Sequence, residues 1–377
     1  VILIVDDEPI NVRMAEISLA KLQVPLLAAS NGREGLEKFE EYRPQLVILD
    51  VMMPEMDGYE LCRQIKSRCK DNFVPVMMIT ALSDRESRLR GIEAGADDFL
   101  TKPFDTLELP LRVKNMLQTK NLYDQLQKNL AQIKQELAMA RQIQQNLLPP
   151  HTAHFFNASL ETVFEPFEEV SGDFIDFFSD HQSYSTFLLG DCMGHGVPAA
   201  LMNTMFRSVV SSIDPALPPG DFLAKINKRL VEALRENLDG LYVTASIVKL
   251  DQKKGTLELS NAGHTPTGLW LSGELHFVSS NGIPLGAFAD STYPVDSFPL
   301  KDVEQVLLFS DGLYSLLGVQ QNKQVPSAFW THLLSSQTLA EVIADWKVVR
   351  NSPIADDLSM LRIRPGGQVD DLSQQKG

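Results

Sequence analysis

NLYDQLQKNLAQIKQELAMARQIQQNLLP, residues 121–149, divides this sequence and sets how the rest of it is read. It holds no glycine, and no proline before Pro149. Tyr123, Leu126, Leu130, Ile133, Leu137, Ala140 and Leu147 recur at alternating steps of three and four, with Gln144 filling the one gap. That is a heptad seam, and it predicts a long helix that pairs with a copy of itself or a similar partner. Gln, Lys and Glu dominate the other faces, as contact with water requires. A surface helix packed on its own domain is the plainer alternative. Pro149 and Pro150 stop the helix, because proline cannot continue the hydrogen-bond ladder. One α/β pattern precedes this stretch, and another, richer in strands, follows it. The sequence thus reads as an input over 1–118, a coiled-coil connector over 119–150 and an output over 151–365. A glycine- and glutamine-rich tail over 366–377 is expected to be disordered.

Composition narrows the class. A length of 377 residues suffices for two domains and a connector, and 44% hydrophobic content for packed cores. The net charge of −15 disfavours nucleic acid as a partner, and no helix-turn-helix stretch is present. Cys62, Cys69 and Cys192 are scattered at no zinc-like spacing, so reduced thiols in a cytoplasmic protein are expected. No apolar run is long enough to span a bilayer, and no signal peptide is read. Val1 opens directly on a strand without an initiator Met, which points to a trimmed chain.

Before the connector, VILIV (1–5), LLAAS (26–30), LVILD (46–50), VPVMMIT (74–80) and DFLT (98–101) read as strands, several of them buried on both faces. Helical patterns at 11–22 and 33–42, and the alternation as a whole, imply a parallel sheet covered by helices on both sides. Asp6, Asp7, Asp50, Thr80 and Lys102 then stand at strand carboxyl ends, where open α/β sheets bind ligands. Three carboxylates repel one another unless a hard cation such as Mg²⁺ sits between them. A lysine and a hydroxyl nearby can stabilise charge on a phosphoryl group, and Asp50 becomes a nucleophile able to form an acyl phosphate.

At these residues the stretch resembles the receiver domain of bacterial two-component response regulators. The resemblance includes MMPEMDGYE (52–60) and ADDFLTKPF (96–104), and it covers 1–118. It implies a flavodoxin-like, doubly wound parallel sheet. Asp6 and Asp7 match the metal-binding pair, Asp50 the phosphoacceptor, Thr80 the switch hydroxyl, Lys102 the phosphate-contacting lysine and Phe99 the aromatic switch residue. A sensor histidine kinase is the implied phosphate source.

After the connector, acids recur at strand ends: Asp173 in SGDFIDFF (171–178), Asp191 in FLLGDCMGHGVPAALM (187–202), Asp311 in VLLFSDG (306–312), and Asp356 and Asp357 in DDLSMLRIR (356–364). VTASIVKLD (243–251) and GTLELSNAGH (255–264) read as neighbouring strands turning at Lys254-Gly255. Many strands and few helices suggest two packed sheets with helices outside. Acids converging from these ends would cage two divalent cations, Mg²⁺ or Mn²⁺. Such a pair can activate a water and clamp a phosphate for in-line attack.

The set resembles the PPM (type 2C) serine/threonine protein phosphatases, in the bacterial branch that dephosphorylates anti-sigma-factor antagonists. SGDFID carries Ser171 where Gly is more usual, and FSDG carries Ser310 where Thr is commoner. GDCMGHGVPAAL, ADDLSM, AGHTP (262–266), GIPLGAF (282–288) and AMARQIQQNLLP (138–149) match as well. The resemblance implies Asp173, Asp191, the Cys192 carbonyl, Asp311 and Asp356 as metal ligands, Asp191 bridging both ions, and Asp357 as a helper. It also implies a phosphorylated anti-sigma-factor antagonist, or a similar small phosphoprotein, as substrate. Read by themselves, His195 shapes its glycine loop, His264 caps a strand, and Trp270, Trp330 and Trp346 are packing residues. A helix is expected within 217–238, and surface loops at 237–242 and 320–326. A phosphatase controlled by Asp50 and a non-catalytic adaptor of the same fold both remain open at this point.

Overall fold

The structure is a computed structural model that describes residues 1–69, 72–81, 85–155, 158–180, 182–234, 240–279, 282–320, 325–350 and 354–366. The expected loops at 237–242 and 320–326, and the tail from 366, fall largely outside these residues. The chain divides into two compact units, Val1–Lys134 and Gln135–Gly377. No helix among the described residues is long and apolar enough to cross a membrane.

In the first unit, β1 (Ile2–Val5), β2 (Leu26–Ala29), β3 (Leu46–Asp50), β4 (Val76–Thr80) and β5 (Asp98–Thr101) form one parallel sheet in the order β2-β1-β3-β4-β5. Between them run α1 (Pro9–Leu19), α2 (Gly32–Tyr42), α3 (Gly58–Arg68) and α4 (Arg85–Glu93). The strands are apolar on both faces because both are covered. Leu3, Val5, Val47, Leu49, Val76 and Met78 pack on one side with Phe39 of α2 and Leu61 and Ile65 of α3. Their neighbours Ile2, Ile4, Ile48 and Met77 pack on the other with Leu19 of α1 and Leu109 and Val113. Asn31 is the N-cap of α2, its side chain accepting from the Glu34 amide at 2.9 Å, so the helix opens at Gly32, one residue before its sequence pattern. Likewise α1 starts two residues earlier than its apolar pattern, with Pro9 in the first turn.

The connector departs from the expected boundaries. A single helix, α5 (Glu108–Leu147), runs 40 residues from inside the first unit into the second. Pro110 is tolerated in its first turn, and no glycine or proline follows until Pro149, so nothing breaks the ladder near residue 118. Tyr123 is held at one end by the Phe73 ring, 5.6 Å between centroids. Leu126, Leu130 and Ile133 are 55%, 43% and 51% exposed.

The second unit holds β6 (Thr152–Phe155), β7 (Ala158–Glu165), β8 (Asp173–Ser179), β9 (Tyr184–Cys192), α6 (Gly196–Ser211) and α7 (Pro219–Leu234). Then come β10 (Val243–Asp251), β11 (Thr256–Ala262), β12 (Thr267–Leu271), β13 (Glu274–Val278), β14 (Asp296–Pro299) and β15 (Val303–Phe309). Helices α8 (Gly312–Leu317), α9 (Ser327–Ser335) and α10 (Leu339–Arg350) precede β16 (Leu358–Pro365). Two antiparallel sheets result, ordered β14-β11-β10-β9-β8 and β13-β12-β15-β16-β7-β6. Their inner faces share one core, including Phe187, Leu189, Val248 and Leu259 from the first and Leu160, Leu269, Leu308 and Leu361 from the second. The outer face of the first carries α6 and α7 through Phe206, Phe222 and Ile226, and that of the second carries α8, α9 and α10 through Leu313, Phe329 and Val342. Helices are therefore more numerous than the sequence suggests. Trp270 and Trp330 meet edge-on at 5.9 Å in this outer packing.

Candidate functional site

In a parallel sheet all carboxyl ends fall on one edge, and β1, β3, β4 and β5 bring Asp6, Asp50, Thr80 and Lys102 to it. Lys102 Nζ lies 2.8 Å from Asp6 Oδ2 and 2.9 Å from Asp50 Oδ1. The other Asp6 oxygen accepts from the Glu8 amide and from Asn11 Nδ2, both at 2.9 Å. Burial raises the Asp50 pKa against the opposing pull of Lys102. Burial would lower the Lys102 ammonium, but its bonds to Asp6 and Asp50 prevail and raise it. Asp6, Asp7 and Asp50 offer oxygens that all lie within 4.8 Å of one another, and among the described residues no other such trio occurs. Hard oxygen donors at that spacing, two buried and the Asp7 carboxylate exposed, fit one Mg²⁺. Phe99 is half-buried, its ring packed over Gly91.

The second unit gathers its acids from both sheets. Asp173 of β8 stands opposite Asp191 of β9, and Thr244 of β10 opposite Asp191 on the other side. Asp311 follows β15, Asp356 and Asp357 precede β16, and these two strands are neighbours. Asp191, Asp311 and Asp356 line one cavity of about 580 Å³ together with His195, His264 and Tyr314. Burial pushes the Asp191 carboxyl up to about 8, helped by the charges of Asp311, Asp356 and Asp357. Asp173 is 1% exposed, and among the described residues no well-formed hydrogen bond reaches its carboxylate oxygens, although the hydroxyls of Ser359 and Ser310 favour its charged form. Burial, then the charges of Asp191 and Asp357, drive its pKa well up. A buried carboxylate without a partner costs several kcal/mol, roughly, and a cation is the partner that removes the cost. This donor set fits divalent metal, spread around a cavity rather than on one point.

Asp357 differs from the other acids. Its oxygens accept from the amides of Phe167 at 2.7 Å and Gly172 at 2.9 Å, so it braces the loop before β8. Ser310 does related work. Its hydroxyl donates to the Asp357 carbonyl at 3.0 Å and accepts from the Ser359 amide at 2.9 Å, tying the ends of β15 and β16 together. Ser171 Oγ accepts from the Asp173 amide at 3.0 Å. Gly172 permits a close approach: a Cβ there would lie 2.8 Å from the Cys192 carbonyl oxygen. Gly312 is tighter still, since a Cβ would meet the Asp357 carbonyl oxygen at 2.1 Å. Gly312→Ala should therefore cost about 3 kcal/mol, read as a lower urea midpoint at unchanged slope. An unchanged midpoint would mean that the two strand ends separate freely.

Sequence reasoning missed part of this cavity. His264 was read as a strand cap, yet it lines the cavity with Nδ1 2.8 Å from Thr244 Oγ1. Burial pushes its pKa down to about 4, so the ring is neutral at neutral pH. The AGHTP motif held a signal for it, but only the pairing of β9 with β10 places Thr244 beside Asp191. His195 Nδ1 pairs with Glu168 Oε1 at 2.9 Å, in keeping with a loop-shaping role.

Comparison with known proteins agrees with the two folds. Residues 2–114 match the response regulator receiver domain family, and residues 182–365 match the stage II sporulation protein E (SpoIIE) family. The second match begins beyond Asp173. "Response regulator PleD" of Caulobacter vibrioides is 40% identical over 130 residues, 34% of this chain and 29% of that protein. "Probable transcriptional regulator ycf27" of Porphyridium aerugineum is 41% identical over 116 residues, 31% of this chain and 47% of that protein. The chain thus spans under half the length of these curated relatives. The SiaA-PP2C domain of Pseudomonas aeruginosa shares the fold at 20% identity, with a TM-score of 0.51 over 63% of this chain and 98% of that one. This chain joins a receiver domain of the response-regulator family to a domain of the SpoIIE family, which has the PPM phosphatase fold.

Proposed function

We propose that this chain is a metal-dependent phosphoserine/phosphothreonine protein phosphatase controlled by phosphorylation of Asp50. The observation that carries the reading is the meeting of Asp191, Asp311 and Asp356, from separate stretches of chain, in one cavity, with the buried carboxylate of Asp173 on the strand residue opposite Asp191. Asp173, Asp191, the Cys192 carbonyl, Asp311 and Asp356 would hold two Mn²⁺ or Mg²⁺ ions, with Asp357 and Ser310 fixing the backbone around them. Asp6, Asp7 and Asp50 would hold Mg²⁺ in the receiver. When bound, these cations neutralise phosphoryl oxygens and, in the second domain, acidify the attacking water. Asp50 takes a phosphoryl group from a sensor histidine kinase, and Lys102, already bonded to its carboxylate, offsets the added charge. In the second domain, water attacks phosphorus and the serine or threonine oxygen leaves with a proton, giving inorganic phosphate. A phosphorylated anti-sigma-factor antagonist is the proposed substrate. The exposed Leu126, Leu130 and Ile133 support self-pairing of α5 into a homodimer in the cytoplasm.

The test is phosphate release from a phosphorylated antagonist protein, with Mn²⁺ and with EDTA, before and after Asp50 is phosphorylated. Release that needs Mn²⁺ and changes with Asp50 phosphorylation is expected. No release under any condition would leave the adaptor reading in its place. Calorimetric Mn²⁺ titration then separates the two, since an adaptor has no need of metal in the second domain.

A further inference from the structure

One polar contact joins the end of α5 to the first acidic motif. Gln144 Nε2 donates to the Ser171 carbonyl at 2.6 Å, while its Oε1 accepts from the Ser171 amide at 3.0 Å. A side-chain amide that bonds both polar groups of one residue fixes that residue's orientation as well as its distance. Ser171 is fully buried, and the two residues after it are Gly172 and Asp173. Gly172 is bonded in turn to Asp357 through its amide and to the Cys192 amide through its carbonyl, the latter at 3.3 Å. Asn203 of α6 donates to the Asp173 carbonyl. Backbone contacts thus lead from Gln144 to Asp173, Cys192 and Asp357, although Gln144 does not line the cavity that holds Asp191.

A cavity borders this clasp. It measures about 180 Å³, between α5 and α6, and Ile143, Leu147, Val197, Leu201, Gln144 and Asp173 are among the residues that line it. Arg141 reaches Glu169 at 3.7 Å on the solvent side. Beside this cavity the Gln144 amide fixes the end of α5 to Ser171 through two hydrogen bonds. Gln144 also occupies the heptad position where the apolar seam is interrupted. A residue that weakens a helix seam and satisfies buried backbone has its main role in the second contact.

We propose that Gln144 is a positioning residue for the metal-holding backbone. Through Ser171 it sets where Asp173 stands, and the setting of α5 is read by the site through this one side chain. The inference rests on the phosphatase reading for its metal consequences, but the clasp itself can be tested without activity. The experiment uses the full chain with Gln144→Ala, Gln144→Glu and, as control, the exposed neighbour Gln142→Ala. Gln144→Ala should raise hydrogen exchange at the Ser171 amide about tenfold or more with little change in melting temperature, because one local bond is lost rather than the core. Mn²⁺ affinity of the second unit, taken as the calorimetric difference from Asp191→Asn, should fall about tenfold, as for other groups that orient metal ligands. Gln144→Glu keeps the acceptor and loses the donor, so its Ser171 exchange should fall between wild type and Gln144→Ala. With phosphoprotein substrate, Gln144→Ala should need more Mn²⁺ yet recover its kcat at saturation.

Exchange and Mn²⁺ affinity unchanged in Gln144→Ala would overturn the proposal. So would a kcat loss that Mn²⁺ does not recover, since that marks a purely structural defect. Should wild type bind no Mn²⁺ in the second unit, the phosphatase reading fails separately. Ser171 exchange then still decides the clasp.

Discussion

Asp191→Asn is expected to lower phosphoprotein hydrolysis by about 10³-fold or more, because it removes the carboxylate at the centre of the acidic set. The same change should make the metal-free protein more stable. Asp191 sits among Asp311, Asp356 and Asp357, and burial plus those charges push its carboxyl up to about 8. The folded state therefore holds a proton between about 4 and 8 that the unfolded chain releases, so metal-free stability falls as pH rises through that window. Asparagine carries no charge there and should flatten the fall. In Mn²⁺ the order reverses, since only wild type gains stability from binding. Melting curves in EDTA and in Mn²⁺ at pH near 8, together with the rate assay, test all parts. Equal hydrolysis rates for the two proteins would remove Asp191 from the chemistry.

The second large effect belongs to the receiver. Asp50→Asn should abolish uptake of phosphate from a small-molecule phosphodonor, as measured by intact mass, because an amide oxygen is no nucleophile for this reaction. Lys102→Ala acts on the same cluster through stability. It strips the cation bonded to both Asp6 and Asp50, whose side chains are nearly buried. A loss of about 3 kcal/mol is expected without Mg²⁺, since the carboxylates are left facing each other. Added Mg²⁺ should restore part of it. Phosphate uptake by Asp50→Asn at the wild-type level would move the acceptor elsewhere.

Legibility differed between the halves for physical reasons. The receiver strands are short and largely apolar, and β1, β3, β4 and β5 lead to Asp6, Asp50, Thr80 and Lys102, so pattern and chemistry agree at those strand ends. In the second half the motif loops around Asp173, Asp191, Asp311 and Asp356 were readable because acids beside glycines punctuate buried strands. The edge strands β13 and β14 were not, because ELHFV and DSFP lie partly in solvent and carry little apolar period. Helices α9 and α10 were missed for another reason. Their apolar residues, Phe329, Trp330 and Val342 among them, face a sheet whose outer side the sequence does not reveal. His264 depends on strand pairing, and Gln144 looked like a flaw in a heptad. Where a side chain serves backbone far away in sequence, periodicity registers only the interruption.

The unbroken course of α5 has a mechanical meaning. Between Leu111 and Leu148 nothing offers a hinge: there is no proline, no glycine and no gap in the helical assignment. Its 40 residues therefore keep one continuous backbone ladder, without the local weak points at which helices usually kink.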